Sequence, residues 1–345
     1  MYETFYGLTG KPFQLNPDPA FLFASKGHAS AYAYLKYGVF QGEGFIVVTG
    51  EVGAGKTTLV RAMLEELDPR QVVAAQLVST MLDSDNLLRA VATAFGLAVR
   101  GEDKAHLLAG LEAFLTSLVT QNKRALLIVD EAQNLTQQAM EELRMLSNFQ
   151  LGDRALLQSF LVGQPELREL MRAPSMQQLR QRIIASYHLG PMDKGETRAY
   201  VEHRLQRVGW KGDPAFDDDA FAKVFDASGG IPRRINQVCN RLLLAGYLAE
   251  KHALGAAEVE EVAREIGSEL SADPPRAPVM VLPTAQRHGG GEPLPVDFAS
   301  LAASIDRMDG NIEVILDMLQ SIVRPGGRDK PAAKPPAKSG GASGA

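Results

Sequence analysis

The sequence predicts an α/β fold in which a parallel sheet is flanked by helices and followed by a small all-helical region. Short apolar runs of strand length alternate with helical patterns over the first 190 residues, and a glycine-rich loop follows the first of these runs. From about residue 190 to residue 270 only helical patterns occur. Alternation of this kind is typical of a parallel sheet covered on both faces.

Composition limits the class of protein. The chain has 345 residues, of which 45% are hydrophobic, enough for one large domain or two smaller ones. Its net charge of −5 argues against a dedicated nucleic-acid coat protein, although a local basic patch is compatible with it. The single cysteine, Cys239, rules out an intramolecular disulfide and is interpreted as a core residue rather than a nucleophile.

The sequence carries no targeting pattern. Its first residues lack a basic region followed by an apolar one, and no run of about 18 apolar residues occurs. We therefore expect a cytoplasmic protein, with any contact to the inner membrane made through partners. The six histidines show no metal-ligand spacing with one another or with the cysteine, so we expect no zinc site.

A phosphate-binding loop is the strongest functional pattern. It follows the apolar run at residues 45–48 and has the spacing G-x-x-x-x-G-K-[ST], in which glycines let backbone N–H groups curl around phosphates. Lys56 is expected to reach the β and γ phosphates of ATP, and the Thr57 hydroxyl to coordinate Mg²⁺. The predicted nucleotide-binding residues of the loop are Gly50, Glu51, Val52, Gly53, Ala54, Gly55, Lys56, Thr57 and Thr58. A glycine-rich turn that binds nothing is the weaker interpretation.

Further elements follow the loop. A helix starts at the loop, placing the positive end of its dipole on the phosphates, and Pro69 lies just past its end. The strands predicted after it cover residues 71–78, 125–129 and 156–162. Two helical stretches separate the first two of these strands, and one helix around Met140 separates the last two.

An acidic pair ends the strand at residues 125–129. Asp130 is expected to hold Mg²⁺ through water, opposite Thr57. Glu131 is expected to act as a general base that orients and deprotonates the attacking water. A switch that only binds NTP would not require such a base. A solvated acidic pair at a strand end is the alternative, which the loop upstream makes less favoured.

Two further polar positions are candidates for phosphate chemistry. Gln164 follows the strand at residues 156–162, and at the carboxyl edge of a parallel sheet its amide would face the γ-phosphate and position water; a simple turn residue is the alternative. Arg180 and Arg182 are candidates for an arginine finger supplied to the nucleotide of a neighbouring subunit. Solvated arginines on a short helix are the alternative, and between the two candidates we favour Arg182.

Residues 191–270 are predicted to form a small all-helical lid domain behind an ATPase domain at residues 1–190. The segment Asp193 to Glu196 resembles a capping box that opens a helix reaching about residue 208. Further helices fit residues 217–227, 232–251 and 256–267. Arg233 follows a proline in the first turn of one of them, from where it could reach the phosphates across the cleft, so that hydrolysis would change the domain angle.

Residues 271–345 are predicted to lie outside the compact part of the protein. Residues 271–297, rich in proline and glycine, are typical of a flexible linker, and residues 324–345 of a disordered tail. Residues 298–323 place apolar side chains at alternating spacings of three and four, which indicates a coiled-coil seam for self-association or partner pairing. A single amphipathic helix folded back on the body is the alternative, and Gly310 and Asn311 weaken the helix.

The chain resembles AAA+ ATPases and, more narrowly, the family typified by general secretion pathway protein A. The resemblance covers about residues 1–265 and rests on the segments MYETFYGLTGKPFQLNPDP, GEGFIVVTGEVGAGKTTLVRAMLEEL, ALLIVDEAQNL, EELRMLSNFQ, FLVGQPELRELM, LRQRI and GGIPRRINQVCNRLLL. It implies that Gln164 is the sensor-1 position, Arg182 the finger and Arg233 the sensor-2 arginine. It also implies ring-like homo-oligomers with ATP between subunits, and an opening aromatic segment, up to Phe23, that lies near the adenine.

Longer relatives in that family continue into a transmembrane helix and a periplasmic peptidoglycan-binding module. This chain shows neither pattern, so we do not expect direct action on peptidoglycan. It is more similar to the short subfamily associated with exosortase (PEP-CTERM) and exopolysaccharide loci, whose members are described as secretion ATPases. That resemblance implies partners among envelope secretion proteins.

Three function classes compete. The leading hypothesis is an ATPase that assembles or remodels an envelope export or polysaccharide secretion system. The second is a DNA-transaction ATPase, such as a transposition helper or loader. The acidic net charge of the chain and the lack of a separate helix-turn-helix pattern argue against it. A helicase would need a second α/β motor domain. The third class, a nucleotide-gated scaffold with negligible turnover, is disfavoured by Glu131.

Overall fold

The computed structural model describes residues 1–78, 83–99 and 103–271. The predicted linker, coiled-coil helix and disordered tail lie outside these residues, apart from Ser271, the last residue of a helix.

The central element of the structure is a five-stranded parallel sheet with the order β2-β3-β6-β1-β7. In chain order the strands are β1 Phe45–Gly50, β2 Val72–Val78, β3 Arg124–Asp130, β4 Gln150–Leu151, β5 Arg154–Ala155, β6 Leu157–Gly163, β7 Ile183–Leu189, β8 Ala215–Phe216 and β9 Ala253–Leu254. Two short pairs, antiparallel β4-β5 and parallel β8-β9, lie outside the main sheet. Because all five main strands are parallel, their carboxyl ends share one edge.

Helices connect the strands and continue after the last long one. They are α1 Tyr2–Phe5, α2 Lys26–Gln41, α3 Lys56–Glu66, α4 Ser84–Ala94, α5 Lys104–Thr120, α6 Gln137–Leu146, α7 Pro165–Arg172, α8 Gln177–Arg180, α9 Lys194–Arg207, α10 Asp218–Ser228, α11 Pro232–Leu248 and α12 Ala256–Ser271. Several begin after a residue whose side-chain oxygen accepts a backbone N–H of the first turn, namely Ser25, Asp83, Asp103, Thr136, Asp193 and Asp217. Asp193 and Glu196 form the capping box that the sequence predicts.

Both faces of the sheet are buried. Successive residues of a strand point to opposite faces, so Phe45 and Val47 of β1 join one apolar cluster while Ile46 and Val48 join another. The first cluster includes buried residues of α4, α5, α6 and α7, and the second includes those of α2 and α3. The predicted fold class, a parallel α/β sheet flanked by helices, is confirmed.

A third apolar cluster lies within the helical part of the chain. It contains buried side chains from α9 to α12 together with residues near the N-terminus, among them Tyr2, Tyr6 and Phe13. Cys239 is fully buried here, and burial raises the pKa of its thiol, so this cysteine is an apolar core residue. The first residues of the chain therefore pack with the helices that follow the sheet.

Three strand features differ from the sequence-based expectation, and one of them is the short unpredicted pair β4-β5. β7 was not predicted, because this edge strand has exposed residues, Ser186 and His188, and lacks the continuous apolar run of β1 or β3. The pair β8-β9 lies after residue 190, where only helices were expected. Each of its strands has two residues, which is too short for a periodic signal.

The core position Phe160 gives a test of the packing. This residue of β6 is fully buried, so Phe160→Ala removes a large apolar side chain and leaves a cavity. We expect the free energy of unfolding to fall by about 3–5 kcal/mol in urea titrations. Phe40→Ala, on α2, is the control because Phe40 is 77% exposed, and it should change stability by less than about 0.5 kcal/mol. Equal losses in the two variants would contradict the described core.

Candidate functional site

The predicted phosphate loop joins the end of β1 to the start of α3. Gly53 and Gly55 have φ values of 83° and 98°, in the left-handed region that glycine tolerates. A Cβ on Gly53 would lie 2.3 Å from the Cβ of Arg233, and one on Gly55 would lie 2.8 Å from Nε2 of His28. Gly53 therefore packs against α11 and Gly55 against α2, at positions where only glycine fits. Because these two residues have no Cβ, no side chain covers the backbone N–H groups of the loop.

Lys56 is buried at the first position of α3. Its Nζ donates hydrogen bonds to the carbonyl oxygens of Gly50 (2.7 Å) and Glu51 (3.0 Å). Burial lowers the pKa of the Lys56 ammonium, and the nearby carboxylates of Glu131 and Asp130 oppose that shift. The ammonium is therefore held over the loop, close to the groups on β3.

Thr57 contacts the acidic end of β3. Its Oγ1 donates to Oδ2 of Asp130 at 2.9 Å, and Oδ1 of Asp130 accepts the N–H of Glu131 at 3.0 Å. A hydroxyl beside a carboxylate provides the hard oxygen ligands that Mg²⁺ prefers. The predicted pair thus comes together across 73 residues of sequence, and its chemistry fits the predicted ion.

Glu131 and Gln164 also meet. The Nε2 of Gln164 donates to Oε2 of Glu131 at 3.0 Å, and the Nε2 of Gln133 donates to the same oxygen at 2.6 Å. Burial by itself raises the pKa of the Glu131 carboxyl, but the two amide hydrogen bonds and Lys56 outweigh it and leave the pKa below its usual value. Glu131 is thus an ionised carboxylate at neutral pH, as a general base requires.

The pocket beside the loop is closed by the N-terminal segment and by two helices of the helical part. Arg204 of α9 is buried and donates to the carbonyl oxygens of Pro12 (2.6 Å) and Gln14 (3.3 Å), and its guanidinium lies 4.7 Å from the ring centre of Phe21. Residues of six regions line this pocket, in chain order Gln14, Leu15, Asn16, Pro17, Asp18, Phe21, Leu22, Phe23, His28, Val52, Gly53, Gly55, Lys56, Thr57, Thr58, Glu131, Tyr200, Arg204, Pro232, Arg233 and Asn236. The aromatic segment expected near the adenine is therefore next to the loop.

Arg233 lies at this pocket, as the sequence indicates. It is the second residue of α11, its side chain is exposed, and its backbone N–H donates to the carbonyl of Gly53 at 3.1 Å. The helical part therefore contacts the phosphate loop directly, through a backbone hydrogen bond as well as a side chain.

Arg180 and Arg182 lie away from the pocket. Arg180 donates to the carbonyl oxygens of Met171 and Ala173, at the end of α7. Arg182 follows α8, just before β7, and donates to the carbonyl and hydroxyl of Ser147 at 2.9 and 3.2 Å. Both arginines are thus hydrogen-bonded to neighbouring backbone, and neither reaches the loop of its own chain.

Three residues of the site were not found from sequence, namely His28, Gln133 and Arg204. The Nε2 of His28 bonds to the carbonyl of Ala54 at 3.0 Å, and its Nδ1 bonds to Oγ of Ser25 at 2.7 Å. Since a carbonyl only accepts, Nε2 carries the proton and Ser25 donates to Nδ1. A single histidine in a helix gives no signal of such a contact, because the contact depends on how α2 packs against the loop.

Comparison with known proteins agrees with this geometry. Residues 39–171 match the AAA domain family. Over 267 residues the chain is 39% identical to general secretion pathway protein A of Aeromonas hydrophila, an alignment that covers 77% of this chain and 48% of that protein. The chain thus spans about half the length of that relative.

Solved structures give the same fold. The ORC2 protein of Aeropyrum pernix, in its ADPNP–ADP complexes, superposes with a TM-score of 0.57 at 19% identity, covering 76% of this chain and 74% of that chain. Cdc6p from Pyrobaculum aerophilum has a TM-score of 0.56 at 14% identity, covering 79% and 74%. At these identities the likeness concerns the fold alone.

Fold, site and relatives together define an AAA+ protein that binds nucleotide and hydrolyses ATP. Within that class it is similar to general secretion pathway protein A. Among residues 1–78, 83–99 and 103–271, no helix is long and apolar enough to cross a membrane.

The buried His28 predicts a pH dependence of stability. Burial lowers the pKa of His28 below its usual value of about 6.5, so the folded protein keeps the ring neutral where the unfolded chain takes up a proton. Stability from this site is complete above pH 6.5 and decreases as pH falls below it, by up to about 1.4 kcal/mol at pH 5.5. Urea titrations from pH 5.5 to 8 should therefore show a smaller acid loss for His28→Gln than for the wild type.

An exposed histidine provides the control. His252→Gln should not reduce the acid loss, because His252 is 57% exposed in a surface ion pair with Asp213. An unchanged pH slope in His28→Gln would show that His28 is not kept neutral by the fold.

Proposed function

We propose that this ATPase drives the assembly or remodelling of an envelope export or exopolysaccharide secretion system. The observation that carries the proposal is the 39% identity to general secretion pathway protein A over 267 residues, a length that takes in both the sheet and the helical part. The proposal places the chain on the cytoplasmic side, where ATP is available, with envelope secretion proteins as its partners at the inner membrane.

The residues at the carboxyl edge of the sheet have separate roles in the proposed reaction. The N–H groups of residues 51–58 bind phosphate oxygens, and Lys56 exchanges the two carbonyls it contacts for the β and γ phosphates. Thr57 and Asp130 hold Mg²⁺, which when bound neutralises phosphate charge and polarises the phosphoryl group. Glu131 accepts the proton of the attacking water.

Two further residues respond to the γ-phosphate. Gln164 lies close enough to bond Glu131 and so positions the water beside it. Arg233 approaches from α11, whose backbone bond to Gly53 joins the helical part to the loop. Loss of the γ-phosphate then removes an anion that Arg233 contacts, and the angle between sheet and helices changes.

The position of Arg182 supports the proposal of a homo-oligomer. Residue 183 pairs with Phe45, the first residue of β1, whereas the phosphate loop follows the last residue of that strand. The two ends of a six-residue strand are about 16–20 Å apart. We propose that Arg182 leaves Ser147 and acts on the nucleotide of a neighbouring subunit, completing the site in trans.

The second candidate function is a DNA-transaction ATPase. Its support is the fold shared with ORC2, at 19% identity, and fold likeness by itself does not carry function. The chain's net charge of −5 favours the secretion proposal.

The proposal is tested by replacing the chromosomal gene of the source organism with a Lys56→Ala allele. Purified Lys56→Ala protein should bind ATP at least about tenfold more weakly in calorimetry, because a charge-assisted contact of about 1.5–3 kcal/mol is lost. The strain should release less protein or polysaccharide into the medium, and a gene deletion should have the same effect. Lys36→Ala is the control, since this exposed lysine of α2 contacts Glu66 and the ring of Tyr32 at the surface and should leave export at the wild-type level.

A parallel assay distinguishes the second function. ATP turnover of the purified wild type is measured with and without duplex DNA, and the secretion proposal predicts equal rates. A several-fold increase with DNA, together with normal export in the Lys56→Ala strain, would replace the secretion proposal by the DNA-transaction one.

A further inference from the structure

Glu131 has an unusual backbone conformation for its residue type. Its φ of 54° and ψ of 40° lie in the left-handed region, which residues other than glycine seldom adopt. Such a conformation persists where the surrounding structure holds it in place. The direction of the Glu131 side chain therefore depends on its neighbours.

Gln133 is the neighbour that joins Glu131 to the adjacent strand. Its Oε1 accepts the backbone N–H of Gln164 at 3.0 Å, and its Nε2 donates to Oε2 of Glu131 at 2.6 Å. Since a backbone N–H can only donate, the carboxamide has one orientation, with its NH₂ group towards the carboxylate. The Gln133 side chain thus connects a fixed backbone donor at the end of β6 to the proposed general base.

The space that Gln133 occupies depends on Gly163. A Cβ at Gly163 would lie 2.7 Å from Oε1 of Gln133, closer than real Cβ contacts allow. The last residue of β6 therefore leaves room for the carboxamide. This observation is independent of the hydrogen bonds and favours the same bridge.

Two amides act on one carboxylate oxygen. Besides Gln133, the side chain of Gln164 donates to Oε2 of Glu131 at 3.0 Å. A carboxylate held by two donors from different directions cannot rotate without breaking at least one bond. A displacement of about 1 Å in such a group is enough to slow a reaction by about a hundredfold.

We propose that Gln133 is a positioning residue for ATP hydrolysis, whose carboxamide fixes the Glu131 carboxylate against the end of β6 in the orientation that activates water. The inference rests on the base role proposed for Glu131. Gln133 touches neither phosphate nor water in this role and acts through Glu131 alone.

The test uses two substitutions of Gln133. Gln133→Leu keeps the size of the side chain and removes both polar groups, and Gln133→Glu keeps the acceptor for the Gln164 N–H but loses the donor to Glu131. Both should lower kcat by about 10- to 100-fold while ATP affinity, measured by calorimetry, stays within about twofold of the wild type. Gln138→Leu, an exposed glutamine on α6, is the control and should keep wild-type kcat.

A double-mutant comparison separates positioning from a general structural effect. If Gln133 acts only through the carboxylate, Gln133→Leu should cause no further loss of kcat in a Glu131→Gln background. Wild-type kcat in both Gln133 variants, an additive loss in the double mutant, or a parallel loss of ATP affinity and thermal stability would overturn the inference. Wild-type turnover in Glu131→Gln alone would instead overturn the base role of Glu131, so the two failures are distinguishable.

Discussion

Parallel pairing of β1, β3 and β6 is the constraint on which the rest of the site depends. Their registers, Thr49 opposite Gly163 and Val129 opposite Leu161, bring the ends of the three strands to one edge. The residues that follow each strand are distant in sequence and become neighbours only because the strands run in the same direction. Active sites of open α/β sheets gather at this edge for that reason.

The sheet edge supplies only part of the pocket, and the N-terminal segment and the helical part supply much of the rest. Arg204 binds the carbonyls of Pro12 and Gln14, 192 and 190 residues away, and holds the N-terminal segment beside the loop. On the other side Arg233 rests against Gly53 so closely that no Cβ would fit. The phosphate loop and the helical part therefore meet at one pocket and are joined by the backbone bond between Arg233 and Gly53.

The fold could be predicted from local sequence patterns, because each pattern is formed by residues that are close together in the chain. The loop from Gly50 to Thr57 has a fixed spacing, and β3 is a continuous apolar run, so both were found from sequence. The edge strand β7 was missed since the polar, exposed residues Ser186 and His188 interrupt its apolar run. The roles assigned to the site residues, the oligomer and the client system stay predictions.

Contacts that join distant segments could not be predicted in the same way. The bond between His28 and Ala54 and the bridge between Gln133 and Gln164 depend on packing that only the folded chain defines. For Arg180 and Arg182 the sequence left two choices, and in the structure both side chains donate to backbone carbonyls. The first is bound to the carbonyls at the end of α7, whereas the second precedes β7 at the edge opposite the phosphate loop.

The central claim is that the loop, the N-terminal segment and the start of α11 form one ATP site. Amide hydrogen exchange, followed by mass spectrometry with and without a non-hydrolysable ATP analogue and Mg²⁺, tests it most directly. The claim predicts slower exchange on binding in residues 14–23, 51–58 and 232–236 together. Protection confined to residues 51–58, with the other two segments unchanged, would contradict it.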